Sequence, residues 1–146
     1  MKIAIASDHG GFNLKENIIK YLEAEGHEVS DLGTYSEESV DYPIYGKSCA
    51  KAVASHQAER GIVVCGTGIG ISIAANKVKG IRCALCTSTE MARLCRQHND
   101  ANMLALGGRT TELADALDIV KVYMETEFEG GRHERRVGML NEMKGE

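Results

Sequence analysis

The sequence of 146 residues has no tryptophan, a single proline and no long apolar segment. No stretch approaches the roughly 20 apolar residues that a membrane-spanning helix requires, and residues 1–5 lack the pattern of a signal peptide. We therefore expect a cytoplasmic protein with no membrane partner. Basic residues are also few, with 17 Lys and Arg against 21 Asp and Glu and a net charge of −4. Because a nucleic-acid surface needs clustered positive charge, we expect no nucleic-acid partner.

The cysteines predict neither a disulfide framework nor a metal centre. They number five and are scattered along the chain, which argues against a disulfide scaffold. Cys83 and Cys86 have C-x-x-C spacing, but they fall in a predicted strand, where residues three apart point to opposite faces. Cys95 and His98 lie three apart on a predicted helix without a second pair of ligands. We predict no metal and no cofactor.

One glycine-rich stretch stands out in the sequence. An apolar run at residues 62–64 predicts a buried strand, and a helix-compatible run follows at 71–77. Between them, directly after Cys65, stand three alternating glycines: Gly66, Gly68 and Gly70. Backbone N–H groups in such a turn point into one concavity, where the helix dipole adds positive charge and favours an anion. A thiol beside that concavity is a candidate base or nucleophile, although the glycines could also serve only close packing.

Two familiar phosphate-binding loops do not fit this stretch. The dinucleotide fingerprint has the order G-x-G-x-x-G, whereas here the order is G-x-G-x-G and Ile71 follows. No acidic residue stands about 20 positions after the first glycine, where a ribose partner belongs. A P-loop is excluded because no Gly-Lys-Ser or Gly-Lys-Thr follows.

Apolar runs and helical periodicities alternate along the chain and predict an α/β fold. The predicted strands are residues 2–7, 27–32, 62–64, 81–86 and 103–106. The predicted helices are residues 12–25, 43–56, 71–77, a helix capped by Thr87 and Glu90 that reaches His98, 111–125 and 134–143. Apolar strands that alternate with helices indicate a five-stranded parallel sheet covered on both faces. The length favours a single domain over residues 1–146.

Candidate functional residues fall at two edges of this sheet. Ligands of parallel sheets bind outside the carboxyl ends of the strands, and the residues expected there are Asp8, His9, Cys65 and Arg109. His98 and Asn99 end a helix and so belong to the opposite edge. A second subunit would bring the two sets together. An Asx turn at Asp8 and a helix cap at His98 are the simpler alternatives.

A basic cluster near the C-terminus contains Arg132 and Arg136, which are spaced to share one helix face. The pair could clamp a phosphate or form an ordinary solvated face. Together with an anion-binding turn and a thiol, it suggests a small phosphorylated metabolite as the partner. No nicotinamide or metal motif accompanies these residues, so the inventory favours cofactor-free proton transfer next to a carbonyl.

Six stretches carry a resemblance in one colinear order over nearly the whole chain. They are Ser-Asp-His-Gly-Gly at 7–11, Val-Asp-Tyr-Pro at 40–43, residues 65–77, Gly-Ile-Arg at 80–82, residues 96–100, and residues 129–133 with Arg136. With them the chain resembles the sugar-phosphate isomerase family that contains B-type ribose-5-phosphate, galactose-6-phosphate and allose-6-phosphate isomerases. The resemblance implies a three-layer, Rossmann-like α/β/α sandwich. It also implies a homodimer, or a dimer of dimers, with active sites shared between subunits.

The resemblance further implies an aldose–ketose isomerase that interconverts ribose 5-phosphate and ribulose 5-phosphate. Cys65 would move a proton between C1 and C2 with the help of Thr67, and His98 would open the sugar ring. The implied substrate-binding residues are Asp8, His9, Tyr42, Gly66, Gly68, Gly70, Ser72, Asn99, Arg109, Arg132 and Arg136. A second branch of the family has a glutamate base at the position of Ile71, so this chain resembles the cysteine branch.

Two alternatives stay open at this point. The substrate could be a six-carbon aldose 6-phosphate, namely allose or galactose 6-phosphate, since pocket length is not visible in the residues. The fold could also serve a non-catalytic sugar-phosphate-binding protein, although such a protein has no need of a base such as Cys65.

Overall fold

The computed structural model describes residues 1–143, in which strands and helices alternate. The strands are β1 (Lys2–Ser7), β2 (Glu28–Asp31), β3 (Arg60–Cys65), β4 (Cys83–Leu85) and β5 (Met103–Gly107). The helices are α1 (Phe12–Ala24), α2 (Tyr42–Ala54), α3 (Ile69–Asn76), α4 (Thr89–Gln97), α5 (Leu113–Glu125) and α6 (Arg132–Glu142). A 3-10 turn, His9–Gly11, joins β1 to α1. None of the described helices combines the length and the apolar character needed to cross a bilayer.

The five strands form one parallel sheet in the order β2-β1-β3-β5-β4. Central strands β1, β3 and β5 are almost entirely buried, whereas the edge strands β2 and β4 are only partly so. The chain winds outward in opposite directions from β1 and β3, which makes the gap between them the topological switch point. Ligands of open α/β sheets bind at such a point, outside the carboxyl ends of the strands.

Alternate residues of the central strands point into two separate cores. Ile3 and Ile5 pack with α1, α4 and α5 on one face of the sheet, while Ala4 and Ala6 pack with α2 and α3 on the other. A fully buried side chain such as Ile5 contributes roughly 1.5–3 kcal/mol of hydrophobic stabilisation. Helices on both faces make a three-layer α/β/α sandwich, as predicted.

The predicted elements all occur, but the start of α4 was predicted one residue too early. Ser88 is the N-cap, since its backbone is extended and its hydroxyl accepts a hydrogen bond from the Met91 N–H at 3.2 Å. Glu90 pairs with Arg93 instead of closing a capping box. Thr87 and Ser88 are both capable caps, so the wrong prediction arose because residue type alone does not choose between adjacent hydroxyls.

Candidate active site

The glycine turn between β3 and α3 packs so closely on β5 that its backbone conformation is forced. Gly68 has a φ of +79°, which L side chains rarely adopt. A Cβ at this position would lie 2.6 Å from Leu85 Cδ1 and 2.9 Å from the carbonyl carbon of Leu106. In this conformation the Gly68 N–H donates a hydrogen bond to Cys65 Sγ at 3.1 Å.

Cys65 differs chemically from the other cysteines. It is the last residue of β3, it is 5% exposed, and its sulfur accepts a backbone N–H immediately before α3. An N–H donor at a helix N-terminus stabilises negative charge on sulfur. By contrast, burial raises the pKa of Cys49 to about 12 and also raises the pKa of Cys83. Cys65 is therefore the cysteine whose sulfur accepts a backbone N–H, and it does so at the anion-binding turn.

Cys86 and Cys95 form a separate buried pair with their sulfurs 3.9 Å apart. The hydrogen bond between them raises the pKa of Cys86 and lowers that of Cys95. Cys86 belongs to the core beneath α4 and α5, whereas Cys83 packs against the opposite core. The prediction that Cys83 and Cys86 do not converge is confirmed.

Asp8 and His9 follow β1 and border the same switch point. Asp8 Oδ1 accepts hydrogen bonds from the N–H groups of Gly10 at 2.9 Å and Gly11 at 3.2 Å, which makes an Asx turn. His9 Nδ1 accepts a hydrogen bond from the Val40 N–H at 3.1 Å. A neutral imidazole that accepts at Nδ1 carries its proton on Nε2, so His9 is oriented as a hydrogen-bond donor at Nε2.

Arg109 and Tyr42 close on the glycine turn from two sides. A Cβ at Gly66 would lie 3.3 Å from Arg109 Nη1, and one at Gly10 would lie 3.3 Å from Arg109 Cζ. The Arg109 guanidinium therefore lies over both turns. The Tyr42 ring lies 2.6 Å from where a Cβ of Gly70 would be. The ends of three adjacent strands thus place a thiol, a carboxylate and a guanidinium around one anion-binding turn.

The hydroxyls of Thr67 and Ser72 belong to this turn and its helix. Thr67 Oγ1 accepts a hydrogen bond from the Ile69 N–H at 3.2 Å, and Ser72 Oγ donates to the Ile69 carbonyl at 2.7 Å. Because α3 begins at Ile69, two residues before its predicted start, Gly70 lies in the first helical turn. N–H groups of a first turn have no partner within the helix; because the Ile69 N–H is bonded to Thr67 Oγ1, the Gly70 N–H is one that this turn offers to an anion.

The remaining predicted residues lie in a second group at the opposite edge of the sheet. His98 is the C-cap of α4, and Asn99 follows it. Arg132 and Arg136 are exposed side chains of α6. No hydrogen bond or ion pair within residues 1–143 joins this second group to the residues around Cys65. Because α4 ends at the edge where β5 begins, and Asp8, Cys65 and Arg109 follow the carboxyl ends of their strands, one copy of the chain keeps the two groups apart.

A family model described as Ribose/Galactose Isomerase matches residues 3–140. The chain belongs to the ribose/galactose isomerase family. Ribose-5-phosphate isomerase B of Escherichia coli (strain K12) is 50% identical over 136 residues, which are 93% of this chain and 91% of the relative. The predicted family resemblance is confirmed.

Solved structures in this family share the fold closely. Ribose-5-phosphate isomerase B of Clostridium thermocellum matches with a TM-score of 0.96 and 59% sequence identity, and the match covers 97% of this chain and 96% of the Clostridium thermocellum chain. Ribose-5-phosphate isomerase B of Mycoplasma genitalium with bound ribulose-5-phosphate has a TM-score of 0.92 at 41% identity, with coverages of 96% and 93%. The predicted fold class is therefore confirmed by proteins of this family.

Two residues of this family member, Glu129 and His133, had no predicted role. Glu129 Oε1 lies 3.6 Å from His98 Nε2 and 3.8 Å from His133 Nε2, and the two imidazole rings stack with centroids 4.3 Å apart. Desolvation, together with the positive charge of His98 and Arg132, lowers the pKa of His133. Glu129 precedes α6 and His133 lies in its first turn, so helical spacing does not predict their contact, and their convergence on His98 depends on the tertiary path between α4 and α6.

Proposed function

We propose that this chain is an aldose–ketose isomerase that interconverts ribose 5-phosphate and ribulose 5-phosphate without a cofactor. The observation that carries the proposal is the hydrogen bond of 3.1 Å from the Gly68 N–H to Cys65 Sγ at the start of α3. It gives one site both a base and donors for developing negative charge. Relatives named ribose-5-phosphate isomerase B support the choice of substrate.

The proposed reaction moves one proton between neighbouring carbons. The Cys65 thiolate removes the proton from C2 of the open-chain aldose, and the electrons of that C–H bond form the C1–C2 double bond of an enediolate. A proton passes from the C2 hydroxyl to O1, and the thiol returns its proton to C1, leaving a carbonyl at C2. Backbone N–H groups from Gly66 to Gly70 stabilise the oxyanion, with Thr67 assisting, because preorganised donors are most effective where charge develops.

Substrate binding in this proposal uses both groups of residues. Asp8 and Asn99 bind sugar hydroxyls, Tyr42 and Ser72 line the pocket, and His98 protonates the ring oxygen during opening. The phosphate is held by donors and cations from both groups: His9, Arg109, Arg132 and Arg136. Bidentate contacts from arginine suit a phosphate well.

Because these groups lie at opposite sheet edges, we propose a homodimer, or a dimer of dimers, with sites shared between subunits. Large apolar side chains are exposed beside the glycine turn, with Ile44 63%, Ile69 53% and Ile73 55% accessible. An apolar patch of this kind is typical of an interface. A partner that covers it would bring its own α4 and α6 ends to Cys65. We also propose a cytoplasmic location and a single domain over residues 1–146.

Turnover of three sugar phosphates in EDTA tests the function. We expect purified protein to convert ribose 5-phosphate faster than allose 6-phosphate or galactose 6-phosphate. Preference for a hexose would keep the chemistry and change the substrate. Binding of the sugar phosphates without turnover of any of them would overturn the enzyme and favour the sugar-phosphate-binding alternative.

Mixing two inactive variants tests the shared site. Cys65→Ala and His98→Asn homodimers should each be severely impaired. When the two variants are unfolded and refolded together, random pairing makes about half of the dimers heterodimers, and each heterodimer has one intact site of its two. About one quarter of all sites are then intact, so activity should return to about one quarter of the wild-type value. If each subunit carried a complete site, no mixture would recover activity.

A further inference from the structure

His98, Glu129 and His133 form a cluster that the isomerase chemistry does not fully use. The Glu129 N–H donates to the Gln97 carbonyl at 3.1 Å, which ties the segment before α6 to the end of α4. His133 follows one turn later in α6, with its side chain only 12% exposed. The fold thereby brings two imidazoles and one carboxylate from two elements to a single point.

The three side chains converge without satisfying one another. The contacts of 3.6 and 3.8 Å between the Glu129 oxygen and the two Nε2 atoms exceed the 2.7–3.2 Å or so of a good N–H···O hydrogen bond. All three ligand atoms lie within 4.8 Å of one another. A cluster held together by its own hydrogen bonds would be tighter, so the spacing leaves room for an atom among the three.

This spacing suits a transition-metal ion. Zinc lies about 2.0–2.2 Å from nitrogen and carboxylate ligands, so tetrahedral ligand atoms stand about 3.4 Å apart. Closing the observed distances to that value takes shifts of a few tenths of an ångström for the carboxylate contacts. The stacked rings lie 15° from parallel, so one imidazole must turn about χ2, a torsion with a broad energy well.

We propose that His98, Glu129 and His133 bind a divalent cation of the zinc class, with a fourth position open to water. Imidazole nitrogens favour such ions over Mg²⁺ and Ca²⁺, which prefer all-oxygen sites. The spacing of Cys95 and His98 in the sequence does not predict this site, because the Cys95 sulfur faces Cys86 instead. A bound ion occupies His98 Nε2, so it also inhibits ring opening. That second consequence rests on the proposed function.

Cobalt titration of the metal-free full chain tests the binding without using activity. We expect one Co²⁺ per chain with the visible absorption of a tetrahedral ion, displaced by Zn²⁺ and unaffected by excess Mg²⁺. Glu129→Gln and His133→Asn should each weaken binding at least tenfold. Glu127→Gln and His56→Asn, which change an exposed carboxylate and an exposed imidazole elsewhere, should bind like the wild type. Absent binding, or binding that both site variants retain, would overturn the site.

Turnover with Zn²⁺ tests the inhibition separately. We expect saturating Zn²⁺ to abolish conversion of cyclic ribose 5-phosphate by the wild type and by Glu127→Gln, and EDTA to restore it. With each rate expressed relative to the same protein's metal-free rate, Glu129→Gln should need at least tenfold more Zn²⁺ than the wild type for the same fractional inhibition. Full turnover at saturating Zn²⁺ would overturn the inhibitory role. A protein without isomerase activity that still gives the cobalt spectrum would refute the proposed function and retain the metal site.

Discussion

Replacing Gly68 by alanine tests how the backbone of the glycine turn supports Cys65. The φ of +79° at Gly68 is a left-handed conformation that costs an L residue about 1–2 kcal/mol. The new Cβ would also lie 2.6 Å from Leu85 Cδ1 and 2.9 Å from the Leu106 carbonyl carbon. Leu85 can move, but the backbone of β5 cannot move freely, and overpacking of this kind costs about 1–3 kcal/mol more.

A matched control separates the two contributions. Gly26 has a φ of +89° and no atom within 4 Å of an added Cβ, so Gly26→Ala should lose only the conformational part. We expect the free energy of unfolding to fall by roughly 1–2 kcal/mol in Gly26→Ala and by roughly 2–5 kcal/mol in Gly68→Ala. Urea denaturation measures both values.

Turnover distinguishes the two variants further. A shifted Gly68 N–H no longer points at Cys65 Sγ, and loss of one preorganised donor lowers turnover by about 10²-fold or more. Gly26→Ala should keep the wild-type rate because it lies at the end of α1. Equal stability losses in the two variants, or full turnover in Gly68→Ala, would refute the reasoning.

Three further predictions concern charge and the second group of residues. Asp31→Asn should lower the free energy of unfolding by roughly 2–4 kcal/mol, because it removes the closer carboxylate partner of the fully buried Lys15 ammonium, at 2.7 Å, and leaves only Glu16 at 3.2 Å. Lys15→Met should cost less, and the reverse order in urea denaturation would contradict this. His98→Asn should slow conversion of cyclic ribose 5-phosphate more than that of an open-chain substrate, whereas equal slowing would exclude the ring-opening role. The pKa of His133 is lower in the folded chain than in the unfolded chain, where it is about 6.5. As pH falls below about 6.5, His133 is protonated in the unfolded chain before it is protonated in the folded chain, so the free energy of unfolding decreases. The wild type should therefore lose more stability between neutral and mildly acidic pH than His133→Asn does, and parallel pH profiles would contradict the shift.

Much of the fold could be predicted because the central strands leave a clear pattern. The apolar runs that became β1, β3 and β5 are buried almost throughout. Edge strands were less distinct, since β2 alternates exposed and partly buried residues and β4 spans only Cys83–Leu85. The residues expected at the carboxyl ends of β1, β3 and β5 do meet there, because parallel strands place their ends at one edge.

Other features of the candidate site depend on tertiary contacts that the sequence does not reveal. Asp8 forms an Asx turn and still borders the site, so the prediction of a ligand-binding residue and the alternative of an Asx turn do not exclude each other. Glu129 and His133 approach His98 only because the segment before α6 returns to the end of α4. Neither local spacing nor residue type predicts that return.

The proton-transfer role of Cys65 is the central claim, and a comparison of two cysteine variants tests it most directly. Turnover of ribose 5-phosphate in EDTA and calorimetric binding of the same sugar would be measured for Cys65→Ala and for Cys83→Ala, whose thiol lies away from the glycine turn. We expect turnover of Cys65→Ala to fall by about 10²–10⁴-fold with binding largely preserved, and turnover of Cys83→Ala to stay near that of the wild type. Comparable turnover in Cys65→Ala and the wild type would contradict the proposed base.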